Sequence, residues 1–189
     1  ERVWQGLFRA SEGKVRLLQE IGDSGEIAVI PDIIACVLAD DQRIATAAAE
    51  AVSHLLSSAP PEDLAWLDEQ TRIHLYTGYG AWYGLKPQQL DVLQRVDSSS
   101  VSLLGVASFH GNGYVRERAI TLLAEIRDGR ELPYLLIRAN DWVSQVRSAA
   151  QEAIQARLIP EYAGHFVTNL PLVERLLRSE RADYGGLVQ

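Results

Sequence analysis

"PYLLIRANDWVSQVRSAAQEAIQARL", Pro133 to Leu158, decides the fold of this 189-residue chain. In its second half Val143, Val146, Ala149, Ala150, Ala153, Ile154 and Leu158 fall at helical steps, so one apolar stripe runs along a helix. Just before it, Leu132–Ala139 is apolar nearly all round, as expected for a helix sandwiched between layers. The stretch therefore predicts two helices joined by a short turn.

The pair recurs. "PDIIACVLADDQRIATAAAEAVSHLL", Pro31 to Leu56, lies over Pro133–Leu158 without a gap at an offset of 102. Pro31 then meets Pro133, Ile44 meets Val146, Ala48 meets Ala150 and Val52 meets Ile154. A third copy, "SLLGVASFHGNGYVRERAITLLAEI" from Ser102 to Ile126, aligns at an offset of 31, with Val115-Arg116 on Val146-Arg147. The segment Ile27–Leu38 is predicted helical on the same grounds as Leu132–Ala139. Alanine dominates the middle of the second helices, which lets neighbours approach closely.

Punctuation agrees. "SSAPPEDL", "GLKPQQL" and "LIPEYAG" each set proline at a helix start, and Gly22, Gly111, Gly113 and Gly129 mark turns. Ser98–Ser100 reads as a helix N-cap before Val101. No segment alternates with period two, so strands are not expected. The expectation is an all-α single domain over residues 1–189, an α-α superhelix or solenoid of about five helix pairs. Its middle, residues 58–99, is irregular because the repeat period fails there.

Pro133, Asp141, Val146 and Arg147, within the context "NDWVSQVRSAA", resemble the signature of HEAT repeats. The closer resemblance is to the short bacterial HEAT-like variety of the PBS-lyase type. "EIGD" (Glu20 to Asp23) and "EIRDG" (Glu125 to Gly129) strengthen it, and it covers roughly residues 14–57 and 100–158. The first copy departs, with Ala39 and Ala45 where Asp and Arg would stand, and the third carries His110 in place of Asp. The resemblance implies a right-handed stack of helix pairs with a concave surface, used mostly as a scaffold for a protein or peptide partner. Two alternatives come with the family: a glycosylase-type protein that binds DNA, and a lyase-like chaperone for a prosthetic group.

Charge weighs against nucleic acid. The net charge is −7: residues 1–100 carry 8 basic and 15 acidic side chains, residues 101–189 carry 10 of each, and those ten bases are all Arg. A duplex-binding protein usually presents a net basic face. The most apolar window, Ile27–Ala39, contains Pro31 and Asp32 and falls far short of the roughly 20 residues that span a bilayer, so no membrane role is expected. Cys36 is the single cysteine; with no disulfide framework the expected compartment is the cytoplasm. With no methionine and glutamate at position 1, the chain is expected to be a processed product or a piece of something longer.

"YTGYGAWYG", Tyr76 to Gly84, contains a cousin of the dinucleotide-binding glycine pattern, but the segment before it reads as helix, and that pattern needs a preceding strand. Two readings of its aromatics stay open. Tyr76, Tyr79, Trp82 and Tyr83 either pack a connector or line a partner surface. Arg116, Arg118 and Arg147 are further candidates for partner contact, as a row that would meet an anion; the other reading has Arg147 and Asp141 fixing a helix start. Histidines 54, 74, 110 and 165 are scattered, so no metal or cofactor is expected, and no nucleophile motif suggests a catalytic residue. The expected function is a non-enzymatic interaction scaffold.

Overall fold

The computed structural model describes residues 2–74, 81–93 and 99–178, and among them every regular element is helical. In order they are α1 (Arg2–Gly22), α2 (Ile30–Ile33), α3 (Gln42–Ser58), α4 (Asp63–His74), α5 (Leu90–Leu93) and α6 (Ser100–Ala107). Then come α7 (Gly113–Glu125), α8 (Leu132–Arg138), α9 (Ser144–Gln155), α10 (Ala163–Thr168) and α11 (Leu170–Leu177).

The helix starts reproduce the sequence offsets. The N-caps of α3, α7 and α9 are Asp41, Asn112 and Val143, separated by the same 102 and 31 positions that align the copies. Asp41 and Asn112 each accept the N–H two residues on, from Arg43 and Tyr114, both at 3.0 Å. Such a cap contributes about 1 kcal/mol. Val143 has no side-chain acceptor. Asp141, two residues earlier, accepts the Val143 N–H at 2.9 Å instead.

His110 performs the same local task as Asp141. Its Nδ1 accepts the Asn112 N–H at 3.0 Å, the same i to i+2 relation. The arginines six residues further on also match: Arg116 donates to the His110 carbonyl at 3.0 Å, and Arg147 to the Asp141 carbonyl at 2.7 Å. A substitution that departs from the sequence pattern thus preserves its hydrogen bond.

α6 and α8 are buried on all sides, through Val101, Leu103, Leu104 and Val106 and through Leu132, Tyr134, Leu135 and Ile137. Burying each large aliphatic side chain contributes about 1.5–3 kcal/mol. The two helices approach closely: a Cβ on Gly105 would run into the Tyr134 ring. Ile27–Leu38 differs from the expected continuous helix, splitting into α2 flanked by 3-10 turns at Ile27–Val29 and Ile34–Leu38. Pro31 has no N–H to give the Ile27 carbonyl, which takes the Ile30 N–H in tighter geometry.

α1 lies along α3, and α3 in turn meets α6. Gly22 faces Ala51 so closely that a Cβ there would sit 3.0 Å from the Ala51 Cα. Ala47, Ala48, Ala49 and Ala51 are all buried, which permits that approach. α7 packs on α6 and α9, and α8 on α9, while α11 returns to meet both α4 and α8. One apolar core runs from Leu18 to Leu176. Near its end a buried pair joins Arg157 Nε to Glu131 Oε1 at 2.6 Å, with the Tyr162 hydroxyl donating to the same oxygen at 2.8 Å.

Candidate functional site

Where α4, α8 and α11 converge, charged side chains that are separate in sequence form one chain of ion pairs. Its hub is Asp141, buried in the turn after α8. The carboxylate accepts Arg116 Nε and Nη2, each at 2.9 Å, and Arg138 Nη1 at 2.9 Å, besides the Val143 N–H. Arg138 is as deeply buried and continues to Asp68 on α4. Asp68 accepts both Nε and Nη2 of Arg72, one turn along the same helix, at 3.1 Å. Three guanidiniums thus surround two carboxylates, leaving an excess of positive charge.

Burial pushes the Asp141 carboxyl up, but the Arg116 hydrogen bonds, the Arg138 charge and the Val143 N–H outweigh it and hold the group below the ordinary carboxylate range. Burial pulls the Arg138 guanidinium down, against the charge of Asp68. Desolvating such groups costs several kcal/mol each, and only close geometry offsets it. One polar atom is left over: Arg138 Nε is buried and makes no hydrogen bond.

At the surface end of this chain stands Trp142, 74 % exposed. The guanidinium carbons of Arg72 and Arg116 lie 5.8 and 5.7 Å from its ring centroid. Both arginines are held by two-pronged carboxylate pairs, so the indole rests on a fixed cationic support. Beside it opens a groove of about 550 Å³. Ala65, Asp68 and Arg72 of α4 line it, with Arg138 and Trp142 from the α8 end and Arg175, Leu176 and Arg178 from α11. Its volume falls in the range of ordinary ligand sites. The lining sets four arginines against two carboxylates, Asp68, which is paired to Arg72 and Arg138, and exposed Glu69, beside the apolar surfaces of Ile137, Trp142 and Leu176.

The residues singled out from sequence do not converge here as a set. Trp82 is completely buried, so it presents no surface to a partner, correcting its place among the contact candidates. Its ring meets His110 edge-on at 6.4 Å, and its carbonyl accepts His110 Nε2–H at 3.0 Å, so it packs the connector against the α6–α7 turn. Tyr83 is half-buried against the core, and burial together with the Asp32 charge raises its hydroxyl above the ordinary range. Tyr76 and Tyr79 lie outside the described residues.

Arg116, Arg118 and Arg147 form no row. Positions 116 and 118 project from opposite sides of α7. Arg116 is buried in the Asp141 cluster, and Arg118 pairs with Asp91 of α5 at 2.8 Å. Arg147 turns back to the Asp141 carbonyl. Pro133 stands in the first turn of α8 and Val146 is buried.

Trp142 is the residue that reading the sequence missed. A signal was present: the equivalent positions in the other copies hold Asp40 and Gly111, both turn residues, and a tryptophan there has no turn-forming reason. Arg72, Arg175 and Arg178 carried no comparable signal, because helical charges usually face solvent.

Among the described residues no group of His, Cys, Asp and Glu is placed to hold a metal ion, and no helix is long and apolar enough to cross a membrane. In comparisons with protein-family models, curated proteins and solved structures, nothing matches this chain.

Proposed function

We propose that the chain is a non-enzymatic interaction module, an α-α superhelix of HEAT-like helix pairs that holds a segment of a partner protein in the groove beside Trp142. The observation that carries this reading is Trp142 itself, a large aromatic left exposed on a support of two immobilised arginines. Exposed aromatics on rigid supports are the usual anchors of protein interfaces, because their area is gained with little loss of conformational freedom. The matched caps of α7 and α9 support stacking of like units, which makes such a surface stiff. The site differs from the expected face of second helices, since α4, the α8 turn and α11 supply it. The solitary, half-buried Cys36 accords with a reducing cytoplasm as the place of action.

A photo-crosslinking residue placed at position 142 tests the reading in native-host cells, with exposed Glu50 on α3 as the control position. The expected result is a discrete crosslinked protein from position 142 and none from position 50. Trp142→Ala should reduce recovery of that protein at least about tenfold while shifting stability by no more than about 0.5 kcal/mol, the range of surface substitutions. Equal crosslinking from both positions, or none from position 142, would refute the proposal.

A further inference from the structure

We infer that the groove takes a short acidic peptide segment, with carboxylates on Arg175 and Arg178 and an apolar side chain on Trp142; this rests on the interaction-module reading above.

Arginine pairing elsewhere in the molecule points to this occupant. Arg16, Arg43, Arg72, Arg116, Arg118, Arg130, Arg138 and Arg157 each contact a carboxylate. Arg127 and Arg147 donate instead to carbonyls. Among the described residues Arg175 and Arg178 have neither kind of partner, and both open onto the groove. They stand one turn apart at the end of α11, a spacing that lets two side chains face one ligand.

Two further observations add to them. The ion-pair chain along the groove carries more guanidinium than carboxylate, and Arg138 lines the groove with a buried, unsatisfied Nε. The lining carries four arginines against Asp68 and exposed Glu69, a positive balance, and it also holds Leu176 and Trp142, so the complement of the groove is acidic and apolar together.

A nucleic acid fits less well. The chain carries −7 overall, which repels a polyanion beyond the immediate site, and Trp142 is the single aromatic in the lining, too few to stack successive bases. An acidic peptide brings only a few charges and meets the groove alone.

The probe is a fluorescein-labelled twelve-residue peptide in which glutamates flank a central Phe-Leu pair, followed by fluorescence anisotropy with the full chain. Comparison probes replace the glutamates by glutamine, or the Phe-Leu pair by Gly-Ser; an oligothymidylate serves as the nucleic-acid probe. The expected result is saturable binding of the acidic peptide and at least about tenfold weaker binding of both altered peptides, a difference of about 1.4 kcal/mol. Raising salt from about 50 to 300 mM should weaken binding several-fold, because the contacts are exposed. Arg175→Gln with Arg178→Gln, and separately Trp142→Ala, should each lose about tenfold. Arg175→Lys with Arg178→Lys should restore most of the affinity, and exposed Arg127→Gln should leave it unchanged. All these positions are exposed, and unchanged melting temperatures verify that the variants are folded.

Binding that ignores the glutamates, tighter binding of the oligothymidylate, or self-association abolished by the same arginine changes would overturn the acidic-peptide assignment. Failure of the peptide with the position 142 crosslink preserved would overturn this inference alone. Failure of both would remove the interaction-module reading as well.

Discussion

Replacing Asp141 by asparagine perturbs the hub of the buried ion-pair chain with almost no change of shape. The amide oxygen can still accept the Val143 N–H, so the start of α9 keeps its cap. What changes is the partner offered to Arg116 and Arg138. Two Arg116 bonds and one Arg138 bond converge on the carboxylate, all at 2.9 Å, and an amide NH₂ turns at least one of them into donor facing donor. Breaking a buried pair from one side costs about 3–5 kcal/mol. Arg138 retains Asp68, and Arg116 retains the His110 and Gly111 carbonyls at 3.0 Å, which places the loss at the lower end, about 3 kcal/mol.

For a chain of this size that loss lowers the melting temperature by about 6–12 °C. Urea titration followed by far-ultraviolet circular dichroism measures it directly, with the midpoint falling and the slope unchanged. A loss under about 1 kcal/mol, the range of an exposed pair, would refute the reasoning. The pH dependence gives a second readout. The folded carboxyl lies below its ordinary value of 3.8, so its contribution is fully present above that pH. As pH falls below it, the unfolded chain takes up a proton before the folded one, and stability declines until the folded carboxyl protonates too. Asp141→Asn should remove that part of the acid slope.

His110 should make stability pH-dependent in a higher window. Burial lowers its pKa below the ordinary 6.5, aided by the Arg116 charge and opposed by the Trp82 carbonyl. The unfolded chain therefore protonates first as pH falls through about 6.5, and stability should drop toward the lower folded value by at most about 1.4 kcal/mol per pH unit. Thermal melts of His110→Gln should lack this slope, and an unchanged pH profile would argue against the assignment. Trp82→Ala should cost about 3–5 kcal/mol by leaving a cavity in the core, while partner capture per folded molecule stays intact. Reduced capture at unchanged stability would return Trp82 to the surface.

The reading of "YTGYGAWYG" shows where local information stops. Its composition suits a packed connector and a binding loop equally well. The choice for Trp82 rests on His110, whose imidazole needs the Trp82 carbonyl and whose ring fills the space beside the indole. Those two residues are 28 apart, and no local pattern links them. The same holds for Arg116, read as a candidate for anion contact until its partner Asp141, 25 residues away, is seen to occupy it.

By itself the sequence determined the helical class and the starts of α3, α7 and α9, because periodicity and capping act within a few residues. It also determined the recurrence of the α6–α7 and α8–α9 units, whereas the acceptor role that His110 shares with Asp141 came from the structure. Tertiary structure alone decided which large rings are inside and which are out, settling the open reading of Trp82 as packing and bringing Trp142, which the sequence reading had passed over, to the surface. It decided, too, which arginines are neutralised and which are left over. Burial and charge pairing are settled by residues distant in the chain, and the groove exists only because α11 comes back onto α4 and α8.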